Sequence, residues 1–182
     1  MEKKYKLTEE SINYCNKTLY RIESLKDFSI VKKGDKGGYI EKEDNLSQEG
    51  DCWISDNAKV FDSAVVSGNA QVYGYAIVCD NAKIFGNAQV FNDAKVCGNA
   101  LVSGSAVIKD NFDYIVFKNW WSSGRYFTWT RSNNMWKVGC FYGTGEELIT
   151  KAYKDSELSG REYKRVVDYV ESILQDSKGI GD

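Results

Sequence analysis

Histidine is absent from all 182 residues. That absence removes every mechanism needing an imidazole base, including Ser-His-Asp and Cys-His nucleophiles. It also leaves zinc with only thiolates and carboxylates. Proline is absent too, so proline-rich linkers and collagen-like arrays are excluded. No apolar run approaches the roughly 18 residues that span a bilayer. Met1–Lys4 opens a polar segment with no apolar stretch behind it. Neither a membrane partner nor a secretory leader is therefore expected, and the cytoplasm is the expected location. The five cysteines (Cys15, Cys52, Cys79, Cys97 and Cys140) contain no C-x-x-C pair, so free thiols are expected and no metal site. The formal charge of −2 offers no general attraction to nucleic acid.

What the chain has instead is a repeat. From Asn57 to Asp110 it reads NAKVFD, SAVVSG, NAQVYG, YAIVCD, NAKIFG, NAQVFN, DAKVCG, NALVSG, SAVIKD, nine hexads without an insertion. The second position is always Ala and the fourth always Val or Ile. The sixth is Gly, Asp or Asn. A six-residue period smears Val around a helix, so a helical stripe is excluded. An alternating Ala-x-Val-x segment instead turns its small and β-branched residues to one side. The Gly/Asp/Asn step then breaks the strand, because these residues tolerate φ > 0. Each hexad reads as a four-residue strand and a corner, and three hexads close a triangular coil of eighteen residues. The prism extends back to Gly37–Lys42 and Asp51–Asp56, with Glu43-Asp44 interrupting the register. About four coils result.

These hexads resemble the left-handed parallel β-helix of the hexapeptide-repeat proteins. The chain beyond them resembles a group of phage and prophage proteins. The shared features are a "GDxGGxIExExNLSxEG" stretch (Gly34 to Gly50), "NAxVYG" hexads and a "DYIVF…CFxGTxEE" unit (Asp113 to Glu147). The resemblance implies a mainly β fold and, for phage accessory proteins, a role countering host defence. Hexapeptide-repeat folds also include coenzyme A acyltransferases and zinc carbonic anhydrases. Both usually rely on His, which this chain lacks, so both fit badly here. No catalytic residues and no cofactor are expected.

Three segments follow: an N-terminal cap (1–36), the hexapeptide β-helix (37–110) and an α+β C-terminal unit (111–182). Three strands are expected at Tyr114–Lys118, Arg125–Arg131 and Met135–Phe141. Two helices should follow, opened by the capping boxes Thr144-x-x-Glu147 and Ser159-x-x-Glu162. Each prism face carries outward apolar groups, Phe61 on the first, Phe85 on the second, Tyr73 and Phe91 on the third. Exposed apolar area of that extent predicts self-association, with a homotrimer expected. The hexads hold four Lys and four Asp, which argues against DNA as a partner. Trp120, Trp121, Arg125, Trp129 and Arg131 are the candidate binding residues. Aromatic faces stack bases and Arg pairs with phosphate. The alternative for these aromatics is a small core sealing the last coil. The functional expectation is a non-catalytic protein that sequesters a nucleotide-type signal or blocks a host defence protein. A scaffolding role and an acyltransferase are the alternatives.

Overall fold

The computed structural model describes residues 2–179. β1 (Tyr5–Tyr14) and β2 (Lys17–Ser24) form a hairpin, and β3 (Lys36–Ile40) follows. Ten two-residue strands then build the solenoid: β4 (Trp53–Ile54), β5 (Lys59–Val60), β6 (Val65–Val66), β7 (Gln71–Val72), β8 (Ile77–Val78), β9 (Lys83–Ile84), β10 (Gln89–Val90), β11 (Lys95–Val96), β12 (Leu101–Val102) and β13 (Val107–Ile108). They stack in parallel as three faces. The first joins β3, β5, β8 and β11, the second β6, β9 and β12, and the third β4, β7, β10 and β13. The strands are shorter than the four residues expected. The flanking Ala carbonyl and the fifth-position N–H still join the ladder, as in Lys59 N–H to Ala76 O (2.9 Å) and Phe61 N–H to Val78 O (3.1 Å).

The interior is what the hexad alternation requires. The second-position Ala and fourth-position Val or Ile of every hexad are fully buried. Twelve inward residues run Ile40, Leu46, Ile54, Val60 and onward to Ile108, which makes four coils. At the corners the sixth-position Asp62, Gly68, Gly74, Asp80, Gly86, Asn92, Gly98 and Gly104 all have φ between 56° and 70°. Only Gly, Asn and Asp enter that region without serious cost.

The register break lies elsewhere than expected. Glu43-Asp44 keeps register inside a 3-10 helix (Glu43–Asn45), and Leu46 pairs with Val66 in parallel. The surplus falls after Ser47, whose N–H still reaches Val66 O. Gln48 and Glu49 are the two extra residues before the corner at Gly50. That enlarged corner receives the N-terminal segment. Gln48 Oε1 accepts from Lys4 N–H (2.8 Å), and Lys4 Nζ donates to Gly50 O (3.1 Å) and Cys52 O (2.9 Å). The hairpin then does two jobs. Tyr5 and Ile22 pack into the solenoid core at its first coil, while Ile12, Tyr14 and Leu19 fold over Phe61, Ile77 and Cys79 on the first face.

At the other end stand β14 (Tyr114–Lys118), β15 (Tyr126–Thr130), β16 (Met135–Val138), β17 (Phe141–Gly143), α1 (Gly145–Asp155) and α2 (Glu157–Gly179). The four strands form one antiparallel meander. β17 was not anticipated; the turn at Gly139 (φ 54°) ends β16 early. Thr144 caps α1 with the expected box. The second helix starts earlier than Ser159: the hydroxyl of Ser156 accepts from Ser159 N–H (3.1 Å).

The sheet has two working sides. Ile115, Phe117, Phe127, Trp129 and Trp136 face the helices in one cluster. Tyr114 and Val116 face the solenoid core. Side chains from this unit meet donors of the last coil that have no next coil to pair with. Lys95 N–H donates to Asn111, Cys97 to Tyr114, Leu101 to Thr128, Val107 to Ser132 and Lys109 to Asp113, at 2.7–3.3 Å. An open coil end is thereby satisfied.

Candidate functional site

A cleft of about 300 Å³ opens where the C-terminal sheet meets the helices, lined by Asn119, Arg125, Cys140, Lys151, Asp155 and Tyr163 among others. The β14–β15 turn forms one wall. Its organiser is Asn119, which is buried. Asn119 Nδ2 donates to Tyr163 Oη (3.0 Å), and its Oδ1 accepts from Ser122 N–H (2.9 Å) and Ser122 Oγ (3.0 Å). Burial pushes the Tyr163 phenol up, against the opposing pull of Asn119. Tyr163 thus stays a neutral hydroxyl over the working pH range. Asn119 N–H also donates to Arg125 O (2.8 Å), which fixes the backbone from which the guanidinium projects.

The opposite wall is α1. Leu148 and Ala152 turn inward to the aromatic core, and Lys151 and Asp155 rim the cleft. Arg125 and Lys151 are both exposed. Among the described residues neither forms an ion pair within 4.0 Å. Arg125 and Lys151 share the lining with Asp155 and with the hydroxyls of Ser122, Ser123 and Tyr163, so the cleft carries two cations against one carboxylate.

The structure sorts the sequence-derived candidates sharply. Arg125 lines the cleft. Trp121 stands behind it, edge-on to Tyr163 at 4.9 Å, with its Nε1 buried and unpartnered among the described residues. Trp120 is exposed (74%) and packs edge-on against Trp121. Trp129 is in the core at 1% exposure, its Nε1 donating to Asn134, so it has no free face for a base. Arg131 sits at the far end of β15 from Arg125. Six residues of extended chain put the two about 20 Å apart, too far to hold one phosphate together. Sequence reasoning missed Asn119, Lys151 and Tyr163. The signal was available for Lys151: three residues after Leu148 on a capped helix, it lies on the flank of the buried face.

The interface candidates divide similarly. Phe61 is not available to a partner, because Tyr14 covers it edge-on at 5.8 Å and it is 5% exposed. Phe85 is half-buried, with Lys137 Nζ over its ring at 5.5 Å. Tyr73 and Phe91 stack at 4.8 Å and 7° on the third face.

Among the described residues the one grouping of metal-type donors is Cys79, Asp80 and Cys97, which shares no residue with the cleft. No helix is long and apolar enough to cross a membrane.

Comparison with known proteins adds two findings. Residues 94–110 match the family model described as YdcK Beta solenoid repeat. Over 73 residues the chain is 40% identical to the "Uncharacterized acetyltransferase YdcK" of Escherichia coli (strain K12), covering 35% of this chain. The match spans 22% of that protein's length. The four stacked coils of hexads make the chain a β-solenoid carrying a sheet-and-helix unit at one end, and these similarities agree with that fold.

Proposed function

We propose that the protein is a non-catalytic binder of a nucleotide-type ligand, held through its phosphates in the cleft between β14–β15 and α1. The observation that supports this most is the pairing of Arg125 and Lys151 across a walled cleft, neither with a carboxylate partner among the described residues. Arg125 offers a planar fork for phosphate oxygens and Lys151 a point charge. Trp120, exposed and edge-on to Trp121 outside the lining of the cleft, offers a face for a base. Capture without turnover fits a chain with no imidazole. Sequestering a nucleotide signal is how such a protein would counter a host defence.

Self-association belongs to the same reading. The hairpin occupies the first face, so the second face (Phe85) and the third (Tyr73, Phe91) are left. Two different faces meeting head to tail close a ring, and a triangular prism suits threefold closure. The homotrimer is proposed on those two faces.

A second reading comes from the name of the relative: an acetyltransferase using acetyl-coenzyme A. Coenzyme A is itself a phosphate-bearing nucleotide, so the cleft would accept it under either reading. Turnover separates them. Thermal-shift measurements with a nucleoside triphosphate and with acetyl-coenzyme A test binding. Thiol release from acetyl-coenzyme A with amine acceptors tests chemistry. Binding without thiol release is expected; release above the uncatalysed rate would favour the transferase.

A further inference from the structure

We propose that Cys79, Cys97 and Asp80 form a binding site for a thiophilic divalent cation of the zinc class on the first face of the solenoid. Cys79 and Cys97 hold the same fifth position of their hexads, eighteen residues apart. β8 and β11 pair in parallel register, Ile77 with Lys95 and Val78 with Val96. The coil spacing of about 4.8 Å therefore sets one thiol beside the other. Asp80 follows Cys79 at a corner with φ 58°. One donor atom from each of the three lies within 4.8 Å of the other two.

Two sulfurs on one tetrahedral zinc stand about 3.8 Å apart, given bonds near 2.3 Å. Stacked coils need only a small side-chain rotation to meet that. Asp80 Oδ2 accepts from Gly98 N–H (2.8 Å). That bond aims the carboxylate, and no hydrogen bond engages its other oxygen among the described residues. Asp62 lies one coil back, with Asp80 N–H on its Oδ2 (3.3 Å) and Lys17 on its Oδ1 (2.8 Å). Lys95 is the nearby cation that acts on Cys97. Both cysteines are half-buried while Asp80 is exposed, so a fourth ligand could be water.

Asp80 is a corner residue like Asp56 and Asp62, and here its carboxylate also stands beside a thiol pair. A carboxylate beside a thiol pair disfavours thiolate, yet it supplies the third donor a metal wants. The site also needs this pair of coils. One coil earlier the fifth position is Phe61, which the hairpin covers.

The test uses the full chain, reduced and freed of metal, titrated with cadmium and then challenged with zinc. A thiolate-to-cadmium charge-transfer band should saturate at one ion per chain and be displaced by zinc. Cys79→Ser or Cys97→Ser should abolish it. Cys15→Ser and Cys140→Ser should leave it unchanged. Asp80→Asn keeps a residue suited to the left-handed corner and should weaken binding at least 10-fold. An absent wild-type band, a band undiminished in Cys97→Ser, or full-strength binding by Asp80→Asn would each overturn the proposal. So would a mass two hydrogens lower, showing Cys79 and Cys97 joined as a disulfide in the presence of zinc.

Discussion

Lys4 shows how much one side chain holds at the start of the solenoid. It is buried, yet its ammonium meets Glu49 O, Gly50 O and Cys52 O within 3.4 Å. Replacing Lys4 by Met keeps the apolar stem and leaves three carbonyls without their donor. Loss of one partner of a buried hydrogen bond costs more than the bond itself contributes. Lys4→Met should lower stability by about 2–4 kcal/mol in urea denaturation. Nothing in the sequence singles out Lys4, because its partners are main-chain atoms more than forty residues away. The corners were legible for the opposite reason: their requirement is local. Gly98 has φ 70° and open space where a Cβ would stand. Gly98→Asn should leave the melting temperature nearly unchanged, and Gly98→Val should cost about 1–2 kcal/mol through left-handed strain.

Glu10 gives a pH dependence. Hydrogen bonds from Lys36 and Arg21 lower its carboxyl from 4.5 to about 2. A carboxylate depressed in the folded state stabilises fully above its unfolded pKa and loses that contribution as pH falls through the folded value. Stability should therefore drop between pH 4.5 and 2. Urea midpoints measured at pH 5 and pH 3 should fall further apart for the wild type than for Glu10→Gln.

Among the elements, β15 explains why the aromatic residues read ambiguously. Its residues alternate sides, so Phe127 and Trp129 enter the helix-side core while Thr128 reaches Leu101 N–H (2.8 Å) on the last coil. Sequence shows the crowding of Trp and Tyr but not which layer each side meets. Alternation alone would have placed Trp129 with Phe127, on one face of a covered strand. Thr128→Val removes the acceptor and strands a buried N–H, at a cost of about 1–3 kcal/mol. Hydrogen exchange at Leu101 should accelerate accordingly, and unchanged protection there would contradict the sealing role of β15. The segment 1–36 was legible as a cap, but the path of the β1–β2 hairpin over the first face was not. That path depends on contacts between Tyr14 and Phe61, 47 positions apart in the chain. Phe61→Ala should cost about 3–5 kcal/mol, as for a buried Phe.

At the scale of the molecule, the two ends of the solenoid are closed differently. A hairpin and a buried Lys close the first coil; a sheet with its own helices closes the last. The hexads fixed the prism in sequence because burial repeats every six residues, and no such period governs the terminal unit. The cleft lies in that unit, where α1 approaches the β14–β15 turn. Of its two cations only Arg125 was anticipated; Lys151 lies on the flank of α1, outside the aromatic and Arg stretch that held the sequence candidates. Light scattering should report a particle three times the 20.6 kDa chain, reduced by charge introduced at Phe85 or Phe91 and untouched by Arg131→Ala. A 20.6 kDa particle at micromolar concentration would contradict the trimer.

The central claim is that Arg125 and Lys151 bind the phosphates of one ligand. Calorimetric titration of a nucleoside triphosphate into the wild type, Arg125→Ala, Lys151→Ala and Arg131→Ala tests it most directly. A saturable one-site isotherm is predicted for the wild type and Arg131→Ala, with affinity at least 10-fold weaker in each of the other two. Equal binding by all four folded proteins, or loss only with Arg131→Ala, would contradict the claim.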